Sequence, residues 1–184
     1  WTYIEFPFGG EDNGAGDLDQ DGHIDLVING GHIFFNPGPQ RAREAEAWQQ
    51  MTLFTKQARV PVVHDVDGDA HSDLLVNGTH LYRAPSNGKR TRENWILHLL
   101  GKTTWPMNAL ISDINQDGID DIVVADRNGL GTVWFEAPTN HRLAPWPFKV
   151  IDPRTHISFM KIADIDRDGK EDLIFEGRRL RDPV

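Results

Sequence analysis

Four short stretches of the chain place oxygen-bearing side chains at alternate positions. They are Asp17, Asp19, Asp21 and Asp25; Asp65, Asp67, Asp69 and Asp73; Asp113, Asn115, Asp117 and Asp121; and Asp164, Asp166, Asp168 and Asp172. Each fits D-x-[DN]-x-D-[GA]-x-x-D, with side-chain donors at positions 1, 3, 5 and 9. A hard divalent cation such as calcium takes six to eight oxygens at about 2.3–2.6 Å, and alternate carboxylates on a tight turn supply them. The backbone carbonyl at position 7 is the expected further donor, from His23, His71, Ile119 and Lys170. Position 6 is Gly22, Gly118 and Gly169 in three loops and Ala70 in the second. A left-handed backbone costs alanine about 1 kcal/mol, so of up to four calcium sites the second is expected to be weakest. Loops 1 and 4 are expected to be tightest, and loop 3 weaker because Asn115 gives up one charge.

A bland reading, acidic surface turns without an ion, fails on electrostatics: four carboxylates within nine residues repel one another unless a cation neutralises them. The formal net charge is −9, and four divalent ions would offset nearly all of it. An EF-hand is excluded because position 12 is Ile28, Val76, Val124 and Phe175 rather than a bidentate glutamate, and β-rich rather than helical sequence follows. The eight histidines show no H-x-H or i, i+4 pair that would suggest zinc. No nucleophile elbow or phosphate loop appears, no residue is assigned a catalytic role, and the chain is not expected to be an enzyme.

The acidic balance also argues against nucleic acid and anionic membrane surfaces, which need a basic patch. With 39% hydrophobic and 26% charged residues and no apolar run near about 18 residues, no membrane insertion is expected. At 184 residues the chain fits one domain, with no cysteine to report a redox compartment. It begins at Trp1 rather than Met, which suggests a processed or trimmed protein.

The elements that must position these loops repeat with them. The loops open at intervals of 48, 48 and 51 residues, and Trp1, Trp48, Trp95 and Trp146 precede them by 16, 17, 18 and 18. A period of 40 to 50 residues is that of propeller blades. Each loop runs into a short β-rich segment (DLVI, DLLV, DIVV, DLIF), then a turn containing glycine, then a second segment ending at Pro37, Pro85, Pro138 and Pro183. With one strand before the loop and one starting at the tryptophan, each unit has four strands. The expected fold is therefore all-β: one β-propeller domain over residues 1–184 with four-stranded blades, its repeats approximately 1–47, 48–94, 95–145 and 146–184. The strand Trp1–Phe6 has no blade ahead of it, whereas the fourth repeat lacks a tryptophan strand. The N-terminal strand is expected to close the last blade, within one chain or between chains as a ring or filament. The periodic tryptophans read as core between blades. Trp105 and Trp134 fall outside the period and are the candidate glycan contacts. Asn77-Gly78-Thr79 is an N-glycosylation triplet in a hairpin turn.

The aspartate loops, the DLV-type strands and the spaced tryptophans together resemble the FG-GAP/VCBS repeats of integrin α-subunit propellers, fungal propeller lectins and many secreted bacterial proteins. The resemblance spans essentially the whole chain. It implies a calcium ion in the hairpin between the first two strands of each blade. It also implies a secreted, extracellular module for binding or adhesion, with glycan or protein ligands. Ala70, Asn115 and the count of four depart from it, since the family's rings usually have seven blades. Two alternatives are a self-assembling structural protein forming rings or filaments, and a polysaccharide-degrading enzyme on a propeller.

Overall fold

The computed structural model describes residues 3–6, 12–28, 31–56, 58–87, 90–140, 145–154 and 157–177. Each acidic loop leads into a nearly unbroken apolar run, the pattern of a strand with both faces covered. These runs are β2 (Asp25–Ile28), β6 (Asp73–Val76), β10 (Asp121–Asp126) and β14 (Asp172–Gly177); every side chain of β6 and β10 is buried. Before each loop lies a first strand: β1 (Asn13–Gly16), β5 (Val62–His64), β9 (Pro106–Ser112) and β13 (Ile157–Ala163). The segments ending at proline form β3 (His32–Phe35), β7 (His80–Arg83) and β11 (Gly131–Phe135). The strands after the tryptophans are β4 (Gln49–Thr52), β8 (Ile96–Leu99) and β12 (Phe148–Asp152).

The strands pair in chain order into three four-stranded antiparallel sheets, β1-β2-β3-β4, β5-β6-β7-β8 and β9-β10-β11-β12, and a two-stranded sheet of β13 and β14. The only helices among the described residues are two short 3-10 turns, Ala45–Ala47 and Arg92–Asn94, just ahead of Trp48 and Trp95. The third strand expected before Pro183 lies outside the described residues, as do Trp1 and Thr2.

The N-terminal strand differs from expectation: residues 3–6 form no strand. Phe6 instead packs its ring on Phe34 (centroids 4.7 Å apart) and edge-on to Trp48 (5.3 Å). The aromatic side chain thus finds its burial on the first sheet, which fixes the segment without a ladder of backbone bonds.

The chain divides into two compact units, Trp1–His98 and Leu99–Val184. The core of the first joins both of its sheets through Val27, Ile33, Phe35, Leu74, Val76 and Trp95. A side chain such as Phe35, fully out of water, contributes about 1.5–3 kcal/mol. In the second unit Val123, Ala125, Ile157 and Met160 are buried together, with Trp134 and Phe175 packed against them. Trp95 and Trp146 are buried, as the core reading of the spaced tryptophans requires. Trp48 is half-buried and donates its indole N–H to the Ala42 carbonyl at 3.0 Å.

Strand β1 has the sequence Asn-Gly-Ala-Gly, poor by strand propensity, and its glycines have a steric reason. A Cβ on Gly16 would lie 2.4 Å from Val63 Cγ1, and one on Gly14 2.8 Å from the Pro61 carbonyl oxygen. The first strands of the two sheets therefore pack nearly backbone to side chain, bringing the loops that follow them side by side. Gly16→Ala is expected to cost about 1–3 kcal/mol through overpacking, with part of the loss recovered by a companion Val63→Ala. Urea denaturation measures both; a Gly16→Ala protein as stable as the wild type would contradict this close approach.

Candidate metal centres

Every acidic loop is the connection of a hairpin. Strand pairing sets Gly16 opposite Asp25, His64 opposite Asp73, Ser112 opposite Asp121 and Ala163 opposite Asp172. The position-9 aspartate thus opens the second strand, and the residues before it make the turn. In loop 1 the two oxygens of Asp17 accept the N–H groups of Asp21 (3.2 Å) and Gly22 (3.0 Å). Asp19 Oδ1 accepts the same Asp21 N–H at 3.2 Å, and Asp21 Oδ1 accepts that of His23 at 2.9 Å. The same four bonds recur at 2.8–3.2 Å in the other three loops. Short aspartate side chains bonding their own backbone in this way are what stabilise such turns.

Candidate ligand oxygens of Asp17, Asp19 and Asp25 lie within 4.8 Å of one another, as do those of Asp65, Asp67 and Asp73 and those of Asp164, Asp166 and Asp172. Oxygens about 2.4 Å from a common ion can be at most about 4.8 Å apart, so positions 1, 3 and 9 fit a hard cation, and all their donors are oxygen. The position-5 residues Asp21, Asp69 and Asp168 stand outside these triads and hold the position-7 N–H groups. His23, His71, Ile119 and Lys170 enter the turns through those N–H groups. Loop 3 keeps the same turn with Asn115 at position 3, whose amide donates to Asp117 Oδ2 at 3.0 Å.

Asp25, Asp73 and Asp121 are buried; Asp25 and Asp73 each accept two kinds of backbone bond, and Asp121 accepts the second of them. One N–H comes from the loop, Leu18 to Asp25 at 2.9 Å and Val66 to Asp73 at 3.3 Å. Another comes from beyond the third strand, Asn36 to Asp25, Ala84 to Asp73 and Ala137 to Asp121, each at 2.8 Å. Burial still dominates. It pushes the Asp25 carboxyl up to about 6 and that of Asp73 to about 7, helped by the neighbouring loop carboxylates, and raises Asp121 as well.

Several residues at these loops escape a reading of the repeat alone. The Arg90 guanidinium bonds Asp19 and reaches Asp21 at 3.1 Å and Gln49 at 3.3 Å, while lying 5.2 Å over the Phe35 ring. Arg83 pairs with Asp67 in loop 2 and comes within 4.0 Å of Asp69. Position 4 has positive φ in every loop, at Gln20, Gly68, Gln116 and Arg167. Ala70 is at φ +66, as its place in the motif requires, but loop 2 has glycine at position 4 where the others have glycine at position 6. Each loop thus holds one non-glycine in the left-handed region, and Gly68 offsets the strain for which loop 2 was ranked weakest.

Of the two aperiodic tryptophans, Trp105 is 42% exposed and donates its backbone N–H to buried Asp126. Trp134 faces the other way. Its ring packs against the core of the second unit, and the Lys149 ammonium sits 4.4 Å over it.

Antiparallel sheets strung in sequence, each with a carboxylate-lined turn in its first hairpin, define an all-β repeat protein. A sequence model of the FG-GAP-like repeat matches residues 65–124 and 113–175. These matches cover more than half of the chain, which belongs to this family. Both begin at a position-1 aspartate and end in the second strand of the next sheet; loop 1 lies outside them yet forms the same turn. A search of curated proteins finds no match.

Two outcomes test the site. Ala70→Gly removes a left-handed alanine and is expected to stabilise by up to about 1 kcal/mol, whereas Gly68→Ala places two such residues in one loop and should cost about as much; denaturation midpoints read both. The raised carboxyls set a pH dependence. A carboxyl raised in the folded state contributes stability that is full below its unfolded value near 3.8 and is lost as pH climbs through about 6 to 7. Metal-stripped protein should lose less melting temperature between pH 4 and 8 as Asp73→Asn than as wild type. Half-buried His80 and His98, whose values are lowered by desolvation, act oppositely in both proteins and cancel. Equal slopes would contradict the assignment.

Proposed function

We propose that this chain is a calcium-stabilised extracellular binding module, its four sheets set as the blades of one propeller domain over residues 1–184. The observation that carries the reading is the triad of carboxylates converging in loops 1, 2 and 4, each including the aspartate that opens the second strand of its sheet. FG-GAP repeats generally bind calcium. Loop 3 would hold the ion through Asp113, Asn115, Asp117 and Asp121, giving up to four sites. Sites of this openness suit the roughly millimolar calcium found outside cells, which supports secretion. The ligand, a glycan or a protein surface, would be taken by the connections between strands, where exposed Trp105 is the aromatic candidate.

The self-assembly reading also has an observation behind it. The fourth strands β8 and β12 carry exposed apolar side chains, Ile96, Leu97 and Leu99 on one and Phe148, Val150 and Ile151 on the other. Outer strands with such faces favour strand-to-strand association. Sedimentation at varied concentration separates a monomer from copies associated through these strands as a ring or filament.

Binding only the folded state, calcium stabilises by RT ln(1 + [L]/Kd), about 2.7 kcal/mol for one site at a hundred times its dissociation constant. Excess calcium is therefore expected to raise the melting temperature of dialysed protein by at least several degrees, and magnesium by less. Melting that is unchanged between chelator and calcium, with metal content verified as zero in the chelated sample, would overturn the proposal.

A further inference from the structure

Loop 1 meets loop 2 through a contact that loop 3 repeats with loop 4. Gln20, at position 4 of loop 1 with φ +62, donates its side-chain amide to the carbonyl of Ala70, position 6 of loop 2. Gln116, at position 4 of loop 3 with φ +61, donates to the carbonyl of Gly169, position 6 of loop 4, at 3.4 Å. Glutamine occupies position 4 in these two loops only; the accepting loops have Gly68 and Arg167 there. A second link accompanies each. Arg90, which follows β7 of the second sheet, reaches back to Asp19 and Asp21 of loop 1. Ser112, directly before loop 3, bonds the Glu171 carboxylate at position 8 of loop 4.

The gripped carbonyl belongs to a peptide unit with a second duty. The N–H of that unit lies on His71, donating to Asp69 at 2.9 Å, or on Lys170, donating to Asp168 at 2.8 Å. The glutamine therefore fixes the peptide that orders the position-5 carboxylate of the partner loop and leads into its position-7 carbonyl. Its own left-handed backbone is part of the turn of the loop it belongs to. Order in one turn favours order in the other, so a ligand that orders the first lowers the ordering cost for the second.

We propose that the four loops work as two coupled pairs, loop 1 with loop 2 and loop 3 with loop 4, so that a divalent cation bound in one loop raises the affinity of its partner. This rests on the reading of the loops as cation sites. Because the coupled unit holds two sites, calcium binding to the full chain is expected to show a Hill coefficient between 1 and 2.

The test is a thermodynamic cycle read by NMR during calcium titration, with the His71 amide reporting loop 2. Asp17→Asn, which cripples loop 1, should weaken binding at loop 2 by about fivefold, the lower end for coupled sites. In a Gln20→Met background, which keeps side-chain length and loses the donor, the same change should leave loop 2 unaltered. Asp113→Asn with Gln116→Met, read at the Lys170 amide, repeats the cycle in the other pair should a first-pair variant misfold. Affinity at the reporting loop that ignores its partner in both pairs overturns the coupling while leaving the cation sites standing. Amide signals that do not respond to calcium at all overturn the cation reading and the coupling with it.

Discussion

Asp25, Asp73 and Asp121 each begin an inner strand with a carboxylate held out of water. Removing such a group from solvent costs several kcal/mol unless its oxygens are met. For Asp25 and Asp73 they are met from two directions, by an N–H of the loop just traversed and by one just past the end of the third strand; Asp121 keeps the second of these. One side chain therefore ties together the first hairpin, its turn and the exit of the second hairpin. A slip of one residue in the register would turn the carboxylate to the opposite face and break both bonds. The raised carboxyls of Asp25 and Asp73 show that N–H donors alone do not offset the burial, which leaves room for a positive charge beside them.

The remaining loop carboxylates follow from this anchor. Once position 9 is fixed, positions 1, 3 and 5 fold back over it because each accepts a backbone N–H within the turn. Aspartate is the side chain short enough to do so without leaving the loop. This locality is why the turns were legible in the sequence: every bond between a loop aspartate and a backbone N–H of its own turn spans seven residues or fewer. The strand order within each sheet was legible for the same reason, since successive hairpins have short connections. The N-terminal strand was not. Its expected partner lay at the far end of the chain, and the nearer apolar surface of Phe34 and Trp48 took Phe6 instead.

Contacts between neighbouring repeats were illegible for a related reason. Arg90 lies about 70 residues from Asp19, in a connection whose composition reads simply as polar. Nothing in the motif distinguishes this arginine from one in solvent; its placement depends on the Phe35 ring beneath it and Gln49 beside it. Gln20 and Gln116 did leave a signal, the same residue at the same motif position two repeats apart. Its meaning required knowing that position 4 is left-handed and that two loops stand close enough for an amide to cross. The glycines of β1 permit that approach in the first unit.

The loops differ more in sequence than in physics. By carboxylate count, loops 1 and 2 carry one charge more than loop 3, where Asn115 replaces an aspartate. Arg90 and Arg83 meet that extra carboxylate at Asp19 and Asp67, whose side chains are only 6% and 4% exposed. Counted over the four ligand positions and the paired arginine, all three loops present the same residual charge to an ion. Backbone strain is levelled similarly, by exchanging glycine between positions 4 and 6. A ranking of affinities from aspartate count or from Ala70 alone therefore loses its basis. What still separates the loops is exposure, since the position-1 and position-3 carboxylates of loop 4 lie at the surface, whereas those of loops 1 and 2 are better covered. Loop 4 keeps all four carboxylates and stands outside that levelling, but its exposure screens them, whereas lower local dielectric strengthens every charge interaction in the covered loops.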